Sequence, residues 1–430
     1  MMNTKRADGN SFTGAHGRWV GLALAGMLIL GGLGLDSQAA VYTNYVAQAG
    51  QTPVPNYTNW MTAASNIQDA VDVALVGNTV LVSNGVYNTG SRSNCPSYNS
   101  HIAPCRVVIM KAVTVRSVSG DPSTTIIQGS WASDGSTNGP GSVRCVGMQD
   151  TGASLIGFTL ANGSTPSSNV SPATYDTQGG GLLARSAALI SNCVIVGNSA
   201  GDYGGAVRTE AGVVLYNCMI VSNLALRQSG GVYGDKIYNC TFRGNQVIQT
   251  GGEGGGAVSG GTLYNCLLIG NRSQGRAGGA TSATLYNCTV SGNYAAGWGG
   301  GVTYCSLYNC IVYGNDSPSG SNYNYESSGY IVSNCCISPS GTWTGSGNIT
   351  NLSPRFVVNG TNFGLTLLPG DYHLAKGSPC IDKGLAFSWM TNGASAPRDL
   401  DGNSRIRGLY PDMGAYESAP PPGGSLLMLR

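Results

Sequence analysis

Apolar residues recur in this chain at a spacing that is neither helical nor that of a plain alternating strand. Aligning the chain on seven Asn-Cys pairs (Asn192-Cys193, Asn217-Cys218, Asn239-Cys240, Asn265-Cys266, Asn287-Cys288, Asn309-Cys310 and Asn334-Cys335) brings out two apolar columns. Three residues before Cys stand Ile190, Leu215, Ile237, Leu263, Leu285, Leu307 and Val332. Two after it stand Ile195, Ile220, Phe242, Leu268, Val290, Val312 and Ile337. Alternate residues of a strand share a face, so Cys and the position two after it share a side, whereas the position three before does not. Both columns can face one core only if the chain bends between them. The Asn is the natural corner, because Asn tolerates the left-handed backbone.

Successive Cys are 25, 22, 26, 22, 22 and 25 residues apart, too close for paired-helix repeats and the length of one solenoid coil. A second Asn column (Asn198, Asn223, Asn245, Asn271, Asn293 and Asn315) ends the strand after each corner, and glycine pairs such as Gly204-Gly205 and Gly230-Gly231 follow. The expected coil is strand, Asn corner, strand, Asn-Gly turn and short strand. Stacked in parallel, with crossovers that are right-handed in about 98% of cases, such coils make an all-β, single-stranded right-handed parallel β-helix. The calcium-binding nonapeptide roll is excluded, because no Asp recurs after the glycine pairs and the period is too long.

Regular coils are expected over 178–340 within a solenoid spanning 41–340, and Val107–Gln128 and Ser154–Leu160 read as earlier, less regular coils. Ser65 to Val76 predicts a capping helix: Ser65 and Gln68 have capping-box spacing, and Ile67, Ala70, Val71 and Ala74 form one apolar stripe. Lys5, Arg6 and Arg18 precede an apolar run from Val20 to Leu35 and then small residues, the order of a secretory signal peptide over 1–40. The expected location is therefore secreted or cell-surface, with membrane contact only through that segment or an unidentified anchor.

Composition narrows the class. Charged residues are 10% of the chain against about 25% in ordinary soluble domains, and Gly is 66 of 430. Both suit coils that cover one another. A net charge of +2 with no clustered basic face argues against nucleic acid as a partner.

Several segments resemble a known superfamily. Asn66-Ile67-Gln68-Asp69-Ala70-Val71, Gly77 to Val82 and Gly85-Val86-Tyr87 resemble the start of bacterial pectin-lyase-like β-helices, and Ile156-Gly157-Phe158-Thr159-Leu160 resembles a common coil of that superfamily. The Gly-Gly-Ala-Val and strand-ending Asn columns are similar to polymorphic outer-membrane-protein repeats. Ser353-Pro354-Arg355-Phe356-Val357, Asp371-Tyr372-His373-Leu374, Gly377 to Gly384, Arg398 to Asn403 and Asp412 to Glu417 together resemble a choice-of-anchor Q domain. The resemblance implies a C-terminal cap over 341–417; the residues after it, 418–430, read as a Pro-rich tail, where such proteins often carry a sorting tail or an outer-membrane barrel. It covers the chain from about Ser65 to Glu417 and implies architecture more than activity.

Candidate chemistry lies in three columns. The Cys column reads as small buried hydrophobes, with no metal expected. Cys95 and Cys105 bracket a polar loop and are the expected disulfide, while Cys145, Cys305, Cys336 and Cys380 have no assigned partner. Tyr216, Tyr238, Tyr264, Tyr286 and Tyr308 point outward by alternation, where they could stack on sugar rings or simply on each other. Two residues before the glycine pairs run Gln178, Asp202, Gln228, Glu253, Arg276 and Trp298, a mixed polar and aromatic row suited to an extended sugar chain or to a solvated turn.

The polygalacturonase motifs Asn-Thr-Asp, Asp-Asp and Gly-His-Gly are absent, and no coil carries the carboxylate cluster and base of a pectate lyase. Asp202 and Glu253 are weak catalytic candidates; two rungs apart, about 10 Å, they exceed the roughly 6.5–9.5 Å of inverting glycosidases. No cofactor is expected. Calcium finds no support around Asp399 and Asp401, where Ser404 replaces the glycine of an EF-hand and the closing Glu is missing. The expected function is presentation of a repetitive face to an extended polysaccharide or a cell-surface component. The alternatives are a polysaccharide lyase or glycoside hydrolase with a non-standard site, and a structural spacer.

Overall fold

The computed structural model describes residues 42–93, 103–167, 175–320, 322–324, 329–338, 344–391 and 398–419. The expected signal segment, and the Pro-rich tail from residue 420 onward, lie outside the described residues.

Each Asn before Cys bends the chain as its chemistry allows. Asn192, Asn217, Asn239, Asn265, Asn287, Asn309 and Asn334 all have φ between 49° and 56°. The backbone on either side is extended, so both apolar columns and the Cys column between them point into one core. Ile190, Leu215, Ile237, Leu263, Leu285 and Leu307 are fully buried, as are Ile195, Ile220, Phe242, Leu268, Val290 and Val312. Each buried aliphatic contributes about 1.5–3 kcal/mol relative to exposure, and the core continues unbroken from Val46 to Ile337.

Among the described residues the coils build four parallel sheets. The tyrosine face holds eleven strands, from Thr43–Val46 to Val332–Ser333, and the second face, after the Asn corner, also holds eleven. A narrow face of six strands includes Leu224–Ala225 and Gln246–Val247. The glycine face of nine includes Val207–Thr209 and Val232–Tyr233. The narrow face is one strand more per coil than the sequence pattern predicts. Most of its strands are two residues long, too short to show a period.

The second Asn column is a buried ladder. Each of Asn198, Asn223, Asn245, Asn271 and Asn293 donates its backbone N–H and its Nδ2 to the Oδ1 of the next rung at 2.8–3.1 Å. Asn315 makes the same pair of bonds to Asn322. Each Nδ2 also reaches a backbone carbonyl of the preceding coil, as Asn245 does to Ile220 at 2.8 Å. The amide supplies two donors and an acceptor in a plane, so it satisfies the corner backbone that no strand pairs.

The helix at the N-terminal end spans Ile67–Val73 and buries Ile67, Ala70 and Val71. Its N-cap is Asn66, accepting from Asp69 N at 2.9 Å, and not Ser65. Gln68 is withdrawn from capping to pair with strand backbone: its Oε1 accepts from Val108 N at 2.7 Å and its Nε2 donates to Val108 O at 3.2 Å.

The C-terminal segment packs along the flank of the coils. Phe356, Leu367, Tyr372 and Met413 bury the outward Leu267, Ile269 and Ile311 of the second face. Corner amides hold its backbone. Asn265 donates to Arg398 O at 2.7 Å, Asn287 to Asp412 O at 3.1 Å and Asn334 to Lys383 O at 3.0 Å.

Candidate functional site

The tyrosine column stands in register: Tyr216, Tyr238, Tyr264, Tyr286 and Tyr308 are successive Cα partners. Rings 238–264, 264–286 and 286–308 stack with centroids 4.7–5.0 Å apart and planes within 10°. The parallel-strand spacing is close to a ring-stacking distance, so the rings occupy each other's faces. Trp389 closes edge-on against Tyr264 at 5.2 Å, and Phe387 against Tyr286 at 5.4 Å. Stacking on sugar needs an open ring face, and the inner rungs have none. Tyr264, Tyr286 and Tyr308 pack instead against Phe387 and Trp389 of the C-terminal segment.

The mixed column needs a correction of register. Leu182, Val207, Val232, Val258, Ala280 and Val302 are the paired positions of the glycine face. Counting back from them aligns Gln178, Tyr203, Gln228, Gly254, Arg276 and Trp298. Tyr203 bridges Gln228, and Ala277 N bonds Trp298 O at 2.9 Å, as that alignment requires. The two Gly-Gly-Ala-Val coils carry one more residue between glycine pair and strand, which shifts Asp202 and Glu253 off the column by one. Asp202 is fully buried while the Glu253 side chain is 70% exposed. They do not form a catalytic pair.

Asp202 pairs with Arg227 at 3.5 Å, yet neither carboxylate oxygen has a hydrogen bond among the described residues. Burial pushes its carboxyl up to about 6 against the pull of Arg227.

The corrected column belongs to a strip of arginines on aromatic rings. The Arg208 guanidinium lies 4.5 Å from the Tyr233 centroid and 5.7 Å from Tyr175, with its Nε donating to Gln178 Oε1 at 2.8 Å. Tyr233 stacks on Tyr203 at 5.3 Å. Further along, Arg276 lies 4.8 Å from Trp298 and 5.5 Å from Tyr304, with Glu253 at 3.7 Å. Arg208, Tyr233, Arg276, Trp298 and Tyr304 are half-buried. Tyr175, Tyr203, Tyr233 and Tyr304 fall outside the columns read from sequence; the Arg at 208 beside a Tyr at 233, one coil apart, was the signal for them.

Positive φ at the glycine turn (Gly179 67°, Gly204 66°, Gly299 63°) lets the loop lie on the strand it precedes. A Cβ on Gly204 would stand 2.3 Å from Val207 O. This close approach seats the loop residues of the strip directly on the glycine face.

The seven corner thiols are buried and free. Each donates to the carbonyl two residues earlier, as Cys240 does to Tyr238 O at 3.2 Å and Cys266 to Tyr264 O at 3.3 Å. Off the column, burial pushes the Cys145 and Cys305 thiols up to about 12. Cys105 is disulfide-bonded; its expected partner, Cys95, lies outside the described residues.

Among the described residues no group of three His, Cys, Asp or Glu could hold a metal ion. The Asp399 carboxylate is occupied by protein donors: Asp401 N at 3.1 Å, Asn403 N at 2.6 Å and Glu417 N at 2.8 Å. His373 bridges Asp371 and, at 2.7 Å, Asp401, tying strand Asp371–Leu374 to that turn.

Residues 156–290 match the family model of the right-handed β-helix region. The solenoid is a right-handed parallel β-helix. No curated protein matches the chain. Among solved structures, a pectate lyase is 12% identical, with 88% of this chain and 97% of that one covered and a TM-score of 0.45. A pectin methylesterase from Erwinia chrysanthemi is 12% identical over 73% and 94%, TM-score 0.36. A rhamnogalacturonan lyase is 12% identical over 74% and 90%, TM-score 0.34. At these values the β-helix assignment rests on the strand register and the family match.

Proposed function

We propose that this β-helix is displayed outside the cell and binds an extended glycan, or a glycan-bearing surface partner, along the arginine-aromatic strip of the glycine face. The observation that supports this reading is Arg276 packed between Trp298 and Tyr304. The guanidinium, held over the Trp298 and Tyr304 rings, offers donors for the hydroxyl or acidic groups of a sugar, and a ring face turned away from it offers a surface for the sugar. The Arg208, Tyr233 and Tyr203 group repeats the theme nearer the N-terminus, so a chain ligand would meet both. The C-terminal segment, resembling a choice-of-anchor Q domain, would serve surface attachment and leaves the strip on another face of the solenoid.

The test is binding of the full chain to a panel of neutral and acidic polysaccharides by affinity electrophoresis and calorimetry. Trp298→Ala is expected to weaken binding roughly 10-fold or more, and Arg276→Ala by a comparable factor. Binding unchanged in both variants would refute the strip. Retention of no polysaccharide would refute the glycan reading and favour a spacer. Appearance of reducing ends or unsaturated sugars in the same incubations would favour the lyase or hydrolase reading.

A further inference from the structure

We infer that Cys336 and Cys380 close a disulfide that fastens the C-terminal segment to the last coils of the solenoid. Cys336 pairs with Ile311 and Ile349 on the second face, opposite in parity to the inward Ile337. Its side chain therefore leaves the core and points beneath the C-terminal segment. Cys380 arrives from that segment, its N–H held by Ser378 Oγ at 3.1 Å and its carbonyl by Met413 N at 3.1 Å. Both are fully buried in one apolar cluster with Ile311, Phe356 and Met413. The Cys336 S–H reaches Leu352 O, on the stretch leading into that segment, at 3.6 Å.

The corner thiols differ from this pair. They are stacked coil over coil along the solenoid, and each donates to the carbonyl two residues earlier on its own strand. Bridging two of them would require rotating both and breaking both hydrogen bonds. Cys336 and Cys380 come from separate elements that meet in one buried apolar cluster. The chain already carries a disulfide at Cys105, the mark of maturation where disulfides persist.

In the step itself each S–H gives up its proton and the two sulfurs join. The two electrons pass to a disulfide oxidant, which is reduced to two thiols. Because both sulfurs are sealed in the folded state, the bond closes as the C-terminal segment docks.

The full chain is refolded in a glutathione redox buffer, alkylated under denaturing conditions, digested and analysed by mass spectrometry. The expected result is a linked peptide pair containing Cys336 and Cys380, and two fewer alkylated thiols than the eleven free among the described residues. Full alkylation of both residues, or linkage of either to another cysteine, overturns the inference. Limited proteolysis of the C-terminal segment is expected to be roughly 30-fold slower in the oxidised than in the reduced protein. The Cys336→Ala/Cys380→Ala variant should show no redox dependence. Equal rates in oxidised and reduced wild type would overturn the fastening role, and the mass analysis of wild type stands whether or not the variant folds.

Discussion

The side-chain amide of Asn309 pairs with the backbone of Leu385 on both sides: Leu385 N donates to Oδ1 at 2.7 Å, and Nδ2 donates to Leu385 O at 2.8 Å. One residue thus turns the corner of a coil, at φ 54°, and reads the C-terminal segment as a neighbouring strand would.

Asn309→Gly and Asn309→Ala separate these two roles. Glycine keeps the corner but loses the pairing, a cost of roughly 1–3 kcal/mol concentrated in the C-terminal segment. Alanine adds the left-handed penalty of about 1–2 kcal/mol. Hydrogen exchange of residues 380–417 should rise in both variants, and the global denaturation midpoint should fall further for Ala than for Gly.

In the buried ladder, Asn245→Ala strands the backbone N–H of Asn223 and one N–H of its Nδ2, the other staying on Ile195 O, and removes the amide donor to Ile220 O. With each unsatisfied buried group costing about 1–3 kcal/mol, the loss should exceed that of any single corner Asn. Urea denaturation of the two variants compares them directly; equal midpoints would show that water replaces the amide.

The contact with Asp401, opposed by partial burial and aided by Asp371, raises His373 to about 9. The folded value lies above the unfolded one near 6.5, so this stabilisation is fully present below that value and is lost as pH rises through about 9. Half-exposed groups of this kind contribute about 1 kcal/mol or less. Thermal melts between pH 6 and pH 10, in roughly one-unit steps, should show a decline that His373→Ala removes.

Asp202 gives a slope of the same sign at lower pH. Its folded value of about 6 lies above that of a free carboxyl, so the folded chain holds the proton more tightly. Stability should fall as pH rises from about 4 to about 6. Asp202→Asn keeps the shape without the buried charge; it should raise the midpoint at neutral pH, by on the order of 1 kcal/mol, and flatten that slope. A lower midpoint at pH 7 would mean that the Arg227 pair outweighs desolvation.

The solenoid was legible because its determinants are local and repeated. A corner that needs a left-handed residue selects Asn, a tight core selects Cys and branched apolar side chains, and stacking repeats both every coil. The narrow face escaped notice because strands as short as Leu224–Ala225 have no period. The Asp202 and Glu253 column was misread because glycine pairs mark a turn, whereas strand pairing alone sets register, and two coils differ by one residue between turn and strand.

The amino-acid sequence by itself determined the coil, its corners, its core columns and the outward direction of the tyrosines, since each follows from backbone preference and alternation within two dozen residues. Only the tertiary structure decided which outward faces stay open. The closing segment lies more than seventy residues from Tyr264 and Tyr286 in the chain, and no local pattern in the coils records that Phe387 and Trp389 come back to cover them. The meeting of Cys336 with Cys380, and of Arg276 with Trp298 and Tyr304, is set in the same way, by register and docking between parts of the chain that share no local preference.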